Sequence, residues 1–586
     1  MDSSATNNWF KLPMFWLFIL AMLAFLVCYA FRPIFDPDFW WHLKSGEQMW
    51  LNKGLLQQDP FSYTGGGLTS LRETLILQGY WLWQILAYGL YELGQFNGIF
   101  VLKFATLFSM LMVTIWQFQR RRVDFLLAAP LLALSFTLLS LIYYMERPQA
   151  VSFLFTAILL GLLNEVKEGG RLGWSLPLLM ALWGNMHGGF IVGQILLGLF
   201  ALGAILEYRK HQQHLLRHVF LWVSFALLAS LLNPNGVDTL YGALKIYNGL
   251  LVDSIGEYAS SFTAFMTGSY YVVILWVFIG VYILGLRSSR HRYWPEIVMA
   301  IFLIWFSVAH QRNVAFFSFA MLPAVGVCLQ RVINQFPYQK IQVFFGTLLI
   351  LAIAAMGFRG WEFRHEKSFM GDVNQFFPVA AVDFLQRSSI QGNMFNHYNF
   401  GGYLLWRLYP ERQVFIDSRG MKPEIYKDWI TISTAWLPVG SSGRKKYEEL
   451  LDHYDIDFVI YPVLQLFTGR ITPLVKFLLL KPDWQPVYVD KQFYVLVRNS
   501  KKNDLFIKRF AQAKHQFIEK IILNLKQQIS FQPNDVKHRV GLTEMLIYYG
   551  RHNQAQQQID TIRGIQPQNP ELPILIDQLN FSKGSK

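Results

Sequence analysis

Charge is what this chain has least of. Only 15% of its 586 residues are charged, against roughly 25% in an ordinary soluble protein. That shortfall excludes the string of water-soluble domains that the length alone would allow. Cysteine is almost missing. Cys28 and Cys328 each lie inside an apolar run and provide neither a disulfide framework nor a metal site. There is no glycine-rich phosphate loop, no zinc-spaced Cys/His cluster and no nucleophile elbow. Gly65-Gly66-Gly67 has no strand before it and reads as a loop tip. The first apolar run, residues 13–31, is longer than a signal-peptide core and carries no small-x-small cleavage site, so it is expected to remain as an anchor.

Apolar surface is abundant instead. Hydrophobic residues make up 53% of the chain and aromatics 16%. Runs near the length a bilayer core requires, about 20 residues, recur from Leu12 to about Phe358, after which polar content rises. The pattern predicts a polytopic α-helical membrane protein, residues 1–360, with a water-soluble tail. After the first run, spans are expected near 97–117, 125–143, 149–165, 172–187, 190–207, 217–233, 269–286, 295–310, 313–331 and 341–359, eleven in all. Residues 76–93 are apolar but interrupted by Gln78, Gly79, Gln84 and Gly89 and rich in Trp and Tyr, the composition of a helix lying in the interface.

The net charge of +14 would suit nucleic acid in a soluble protein, but its placement follows membrane topology. With 76–93 not spanning, five loops share the N-terminal side. They carry Arg120, Arg121, Arg122, Lys167, Arg171, Arg209, Lys210, Arg217, Arg287, Arg290, Arg292, Arg331 and Lys340, whereas the opposite short loops hold Arg147, Lys245 and Arg312. The positive-inside rule then places the N-terminus in the cytoplasm and the tail outside. Nucleic acid is not an expected partner; membrane lipid is.

That topology collects the unusual polar motifs on the outer side. Asp36-Pro37-Asp38-Phe39-Trp40-Trp41-His42 opens the longest outer loop, residues 32–75, which also holds Asp59-Pro60-Phe61-Ser62. Paired acids at a membrane surface suit general-base work on a hydroxyl or coordination of a divalent cation; a solvated turn with interfacial Trp40 and Trp41 is the bland alternative. Arg147 and Arg312 sit at outer span ends, where cations are disfavoured, and a guanidinium there suits an anionic ligand or snorkelling to lipid phosphate. His187 precedes Gly188 and Gly189 in the hairpin after 172–187. Glu257 lies in an expected interfacial segment, 237–262, and Asn233-Pro234-Asn235-Gly236 reads as turn chemistry.

Taken together, these residues resemble the GT-C superfamily, integral-membrane glycosyltransferases that use polyprenyl-phosphate-linked sugars. The likeness is carried by the acidic pair after the first span, the long first outer loop, the apolar helix before the next span and the outward arginines. The run from Asp36 to His42, Gly46, Asp59 to Ser62, Arg147-Pro148, Trp183 to Phe190 and Arg312 is similar to a bacterial GT-C-like group. Asn399 to Leu404, Tyr409-Pro410 and Val414 to Arg419 resemble that group's outer domain. The resemblance implies a bacterial inner-membrane enzyme that transfers a hexosyl or pentosyl unit, with inversion, from a polyprenyl-phosphate donor to a glycan, lipid or protein acceptor on the outer face. Asp36 or Asp38 would be the base, while His42, Asp59, Arg147, His187, Glu257 and Arg312 would meet substrate. A divalent metal at Asp36 and Asp38 is compatible with the pattern and not demanded by it. Asp-Pro-Asp stands where the protein O-mannosyltransferases have an Asp-Glu-like pair.

The tail reads as an extracytoplasmic α/β domain at 361–500, followed by a helical, tetratricopeptide-like stretch at 501–586. Strands are expected at 393–398, 413–417, 457–461, 486–489 and 492–498, and helices at 379–386 and 443–454. Asp417 and Arg419 read as an ion pair at a strand end. Pro533-Asn534 recurs 34 residues later as Pro567-Gln568-Asn569, the period of a helix-turn-helix repeat. One such unit must pack on a neighbour, either its own domain or a protein partner.

Three other functions compete. A lipid-linked glycan polymerase or ligase would carry its long outer loop between late spans. A transporter or flippase would show internal repeats and helices broken at mid-bilayer. A scaffold would leave the acids unexplained.

Overall fold

The computed structural model describes residues 9–207, 213–241, 259–287, 293–365, 376–435 and 445–584. The chain folds into two units. One comprises residues 1–57 and 69–373, and the other residues 58–68 and 374–586.

The first unit is helical. Among the described residues, six helices are long and apolar enough to cross a membrane: Pro13–Ala30, Phe96–Arg120, Phe125–Ile142, Gln149–Lys167, Phe190–Glu207 and the stretch Gln342–Phe363. Gln311–Ala320 and Leu322–Ile333 meet at 61° and make a seventh if they form one broken span. His214–Ala229, Val273–Arg287 and Trp294–Ala309 are apolar but shorter. Among the described residues, the eleven expected spans are thus not matched by eleven full-length helices. The segment at 172–187, for example, forms a helix of 12 residues, Ser175–Met186, about 18 Å long at 1.5 Å per residue, whereas the hydrocarbon core is about 30 Å thick.

The expected loop at 32–75 opens with a helix. Asp36 caps the helix Pro37–Asn52, its side chain accepting the Asp38 amide at 2.8 Å, with Pro37 in the first turn. Phe39, Trp40, Leu43 and Gly46 are buried on this helix, which packs along the helix Trp81–Gly94. Trp83, Gln84, Ala87 and Tyr88 form the buried face of the latter. Gly46 is what allows the approach: a Cβ there would lie 2.1 Å from the Gln84 carbonyl oxygen.

The second unit carries a four-stranded sheet: β1 (Asn393–Asn396), β2 (Ile456–Pro462), β3 (Trp484–Val489) and β4 (Phe493–Arg498), in the order β1-β2-β4-β3. β1 pairs parallel with β2, and the other two pairs are antiparallel. Every residue of β2 is buried, as the central strand of a sheet covered on both faces should be. The fifth expected strand, 413–417, does not form. Asn396 bonds it through side-chain atoms instead, to the Phe415 amide at 2.8 Å and the Ile416 carbonyl at 2.7 Å. Val414 takes its backbone partners from the first-loop segment, donating to Phe61 at 2.9 Å and accepting from Tyr63 at 3.2 Å. The expected helices appear as Val379–Arg387 and Lys446–His453.

The tail helices Lys514–Phe531, Val536–Tyr548, His552–Ile565 and Glu571–Gly584 share one hydrophobic core with the sheet. Phe517, Ile521, Leu546 and Ile559 belong to the same buried cluster as Val459 and Leu496. The four tail helices thus find their packing partner within their own unit.

Because a backbone carbonyl cannot rotate out of the way as a side chain can, Gly46→Ala is expected to destabilise the first unit by roughly 1–3 kcal/mol. Thermal unfolding of the purified protein in detergent measures this, and an unchanged transition temperature would refute the close contact.

Candidate active site

The first turn of a helix is where carboxylates are best held, because free backbone N–H groups and the helix dipole both favour negative charge. Asp36 and Asp38 occupy that turn in the helix Pro37–Asn52. Arg147 bridges them: its Nε reaches Asp36 Oδ2, and its Nη2 lies 3.2 Å from Asp38 Oδ2. Asp36 is buried, at 7% exposure. Its Oδ1 accepts the Asp38 amide while its Oδ2 faces the guanidinium, so both carboxylate oxygens are engaged.

Arg147 comes from a short connection between the helices Phe125–Ile142 and Gln149–Lys167. Within it, buried Met145 adopts φ +65°, a left-handed conformation that costs a residue with a side chain of order 1 kcal/mol and persists where the surroundings over-determine it. Those surroundings are specific. Tyr143 Oη donates to the Arg312 carbonyl at 2.6 Å, and Gln149 Nε2 donates to the same oxygen at 3.2 Å. Tyr271 Oη donates to Gln311 Oε1 at 2.8 Å. Asp36, Arg147 and Arg312 thereby line one cavity of about 250 Å³. Phe35, Leu141, Ile142, Tyr144 and Phe153 form its apolar wall. The space is small beside the roughly 300–1,000 Å³ of pockets that enclose a whole drug-sized ligand, so it suits a headgroup.

Behind this cavity lies a second charged group. Glu146 is 2% exposed and Lys103 1%. Lys103 Nζ is 3.7 Å from Glu146 Oε2 and donates to the Arg32 carbonyl at 3.3 Å. Arg32 donates to the Ser140 carbonyl at 3.1 Å, its guanidinium lying over Tyr144 and Phe363. Burial pushes the Glu146 carboxyl up to about 7; Lys103 opposes that rise and the nearby Asp36 adds to it.

Of the other candidates, His42, His187 and Asp59 are not among the residues lining this cavity. His42 is buried between the helices Pro37–Asn52 and Trp81–Gly94, stacked on Trp41 and bonded through Nδ1 to Gln84 Nε2 at 3.0 Å. It does not line the cavity. His187 Nδ1 accepts the Gly189 amide at 2.9 Å and meets Ser152 Oγ at 2.7 Å, and Ser152 Oγ accepts from Trp183 Nε1 at 2.8 Å. With Nδ1 accepting from an amide, the neutral ring carries its proton on Nε2. A Cβ at Gly189 would sit 2.4 Å from Ser152 Oγ, so this network depends on that glycine. Glu257 lies outside the described residues.

Asp59 belongs to the second unit, where it holds a guanidinium. Arg419 Nη1 and Nη2 grip Asp59 at 2.9 and 3.2 Å, while Nε and Nη2 grip Asp417 at 2.8 and 2.5 Å. All three side chains are at most 2% exposed. Burial alone would lower the Arg419 pKa, but Asp417 and Asp59 outweigh it and raise it. Ser62 Oγ and the Phe61 amide donate to Asp59 as well. The expected pair of Asp417 and Arg419 is present with a third member, Asp59, that is remote in sequence.

Sequence reasoning missed Lys103, Arg32 and the cavity-lining Tyr143, Gln149 and Tyr271. Lys103 carried a readable signal, since a lone cation inside an expected span marks function by default. The tyrosines and Gln149 carried none, because nothing local distinguishes them from interfacial residues. Among the described residues, no three His, Cys, Asp or Glu side chains come together as metal ligands. Asp36 and Asp38 by themselves, engaged with Arg147, do not make a divalent-cation cage.

Neither the family models nor the curated proteins yield a match to this chain. Among solved structures, ArnT from Cupriavidus metallidurans, crystallised bound to undecaprenyl phosphate, aligns over 84% of this chain and 99% of its own at 13% identity and a TM-score of 0.49. A likeness of that degree assigns no activity.

Arg419→Met would leave two buried carboxylates without a counter-charge. It is expected to destabilise the second unit by about 3–5 kcal/mol, seen as faster limited proteolysis of the full-length protein after residue 374. Wild-type resistance in that variant would show that the three buried charges are not coupled.

Proposed function

We propose that the protein is a membrane glycosyltransferase that moves a sugar from a polyprenyl-phosphate carrier to an acceptor hydroxyl on the outer face of a bacterial inner membrane, with inversion. The single observation that carries this reading is the cavity that brings Asp36, Arg147 and Arg312 together beside an apolar wall. A carboxylate, two guanidinium groups and apolar surface in one headgroup-sized space match the parts of such a donor: an anionic phosphate, a sugar and the first carbons of a prenyl chain, with the rest of the chain left in lipid.

The chemistry follows from those groups. The acceptor oxygen attacks the anomeric carbon as the bond from that carbon to the phosphate oxygen breaks, and the acceptor proton passes to a carboxylate. Asp36 lines the cavity and Asp38 does not, so Asp36 is assigned as the base and Asp38 as a holder of Arg147. Arg147 neutralises Asp36. A phosphate entering beside it competes for the guanidinium, and each hydrogen bond that Arg147 transfers to phosphate frees a carboxylate lone pair for the proton. Arg147 and Arg312 then meet the negative charge growing on the departing polyprenyl phosphate. Such stabilisation is commonly the largest catalytic contribution, with the base adding about 10²–10⁴-fold. His187, fixed as an Nε2–H donor, and Glu257 are carried as further substrate contacts, and His42 and Asp59 as structural supports. The helical hairpin of the tail is available to a protein partner on its exposed face.

Asp36→Asn and Arg312→Ala are each expected to abolish transfer with insertion and abundance near normal, and Asp38→Asn to reduce it by at least tenfold. Mass spectrometry of surface glycans, glycolipids and glycoproteins from a deletion strain complemented with each variant reads the outcome. Arg312→Ala should also weaken binding of undecaprenyl phosphate to the purified protein, whereas Asp36→Asn, which removes a competing carboxylate charge, should not. Wild-type glycan profiles in all three variants would overturn the assignment.

A further inference from the structure

We infer that Glu146 is a positioning residue for the Asp36–Arg147 pair, holding the backbone of the aspartate segment while its sequence neighbour holds the side chain; this rests on the glycosyltransferase reading above. Glu146 and Arg147 are consecutive, as are Phe35 and Asp36, and each residue of one pair is tied to one of the other. Glu146 Oε1 accepts the Phe35 amide at 3.3 Å, and the Arg147 guanidinium forms an ion pair with Asp36 Oδ2. A single link would leave the segment before the helix Pro37–Asn52 free to pivot about it. Two adjacent links set both the separation and the orientation of the carboxylate.

Glu146 is in turn held from the far side. Lys103 Nζ lies 3.7 Å from its Oε2 and is itself fixed to the Arg32 carbonyl. Lys103 belongs to the apolar helix Phe96–Arg120, so the clamp is anchored inside one of the long helices. A buried ion pair is poor evidence for stability, because well-packed apolar side chains of the same volume serve as well or better. What the carboxylate supplies and an apolar residue cannot is an acceptor for the Phe35 N–H. Glu146 does not line the cavity, so its effect on transfer passes through Asp36 and Arg147.

Removing Glu146 alone would strand the Lys103 charge and endanger folding, so the test compares two double variants in which that charge is also gone. Glu146→Leu/Lys103→Met has no acceptor for Phe35 N–H, whereas Glu146→Gln/Lys103→Met keeps one at the same place. Both are expressed in the deletion strain, at levels low enough that product scales with protein, beside wild type and Asp36→Asn. The Leu/Met variant is expected to lose about 100-fold in transfer, the size of effect that a misplacement of about 1 Å produces, at normal abundance and thermal stability. The Gln/Met variant should recover most of it. Equal transfer by the two double variants, with Asp36→Asn inactive, overturns the positioning role and leaves the enzyme assignment standing. Full transfer by Asp36→Asn overturns the assignment and this role with it.

Discussion

A guanidinium set between two carboxylates at a helix N-terminus holds its place only while all three remain together. Partly withdrawn from water, each charge has lost hydration that only its partners replace, and deleting one leaves the others uncompensated. Arg147 with Asp36 and Asp38 is such an arrangement, and the first unit is organised around it. The helix Pro37–Asn52 presents the acids, the strained turn at Met145 presents the arginine, and the Tyr143 and Gln149 bonds to the Arg312 carbonyl bring the second cation to the same cavity. An enzyme that stabilises an anionic leaving group needs cations in advance of the reaction, and carboxylates nearby keep them oriented until the anion arrives.

The second unit uses the same physics to a different end. Arg419 is wholly buried and doubly gripped by Asp59 and Asp417, with Ser62 Oγ and a backbone amide as further donors to Asp59. The Arg419 side chain is shut off from solvent, and the same combination of one arginine and two aspartates is therefore a fastening. The contrast with Arg147, about a quarter exposed on its side chain, shows that accessibility, more than residue type, separates a charge cluster that can react from one that only holds.

Much of this was legible in one dimension. The helices follow from apolar runs, and the sheet strands follow from short β-branched and aromatic stretches, except at 413–417. There the Asn396 side chain and residues 61–63 satisfy the backbone, a solution no local pattern announces. Asp36, Arg147 and Arg312 stood out because each is a charge where charge is expensive. His42 and Asp59 stood out for similar reasons but do not line that cavity, since a motif records residue type and not the direction in which a side chain points. The eleven expected spans do not all appear as full-length helices among the described residues, because hydropathy does not reveal where a helix stops, as at Ser175–Met186, or bends, as between Ala320 and Leu322.

The sequence by itself determined that apolar helices dominate the first 360 residues, that a mixed α/β tail follows, and that acids and arginines gather near helix ends. Those are consequences of composition and of periods a few residues long, which act within a single element. Only the tertiary structure decided which charges meet: Asp36 with Arg147, Glu146 with Lys103, and Asp59 with an arginine 360 positions away. A buried charge must find its partner in space, and the packing of whole helices and strands, which no local period encodes, sets where that partner lies.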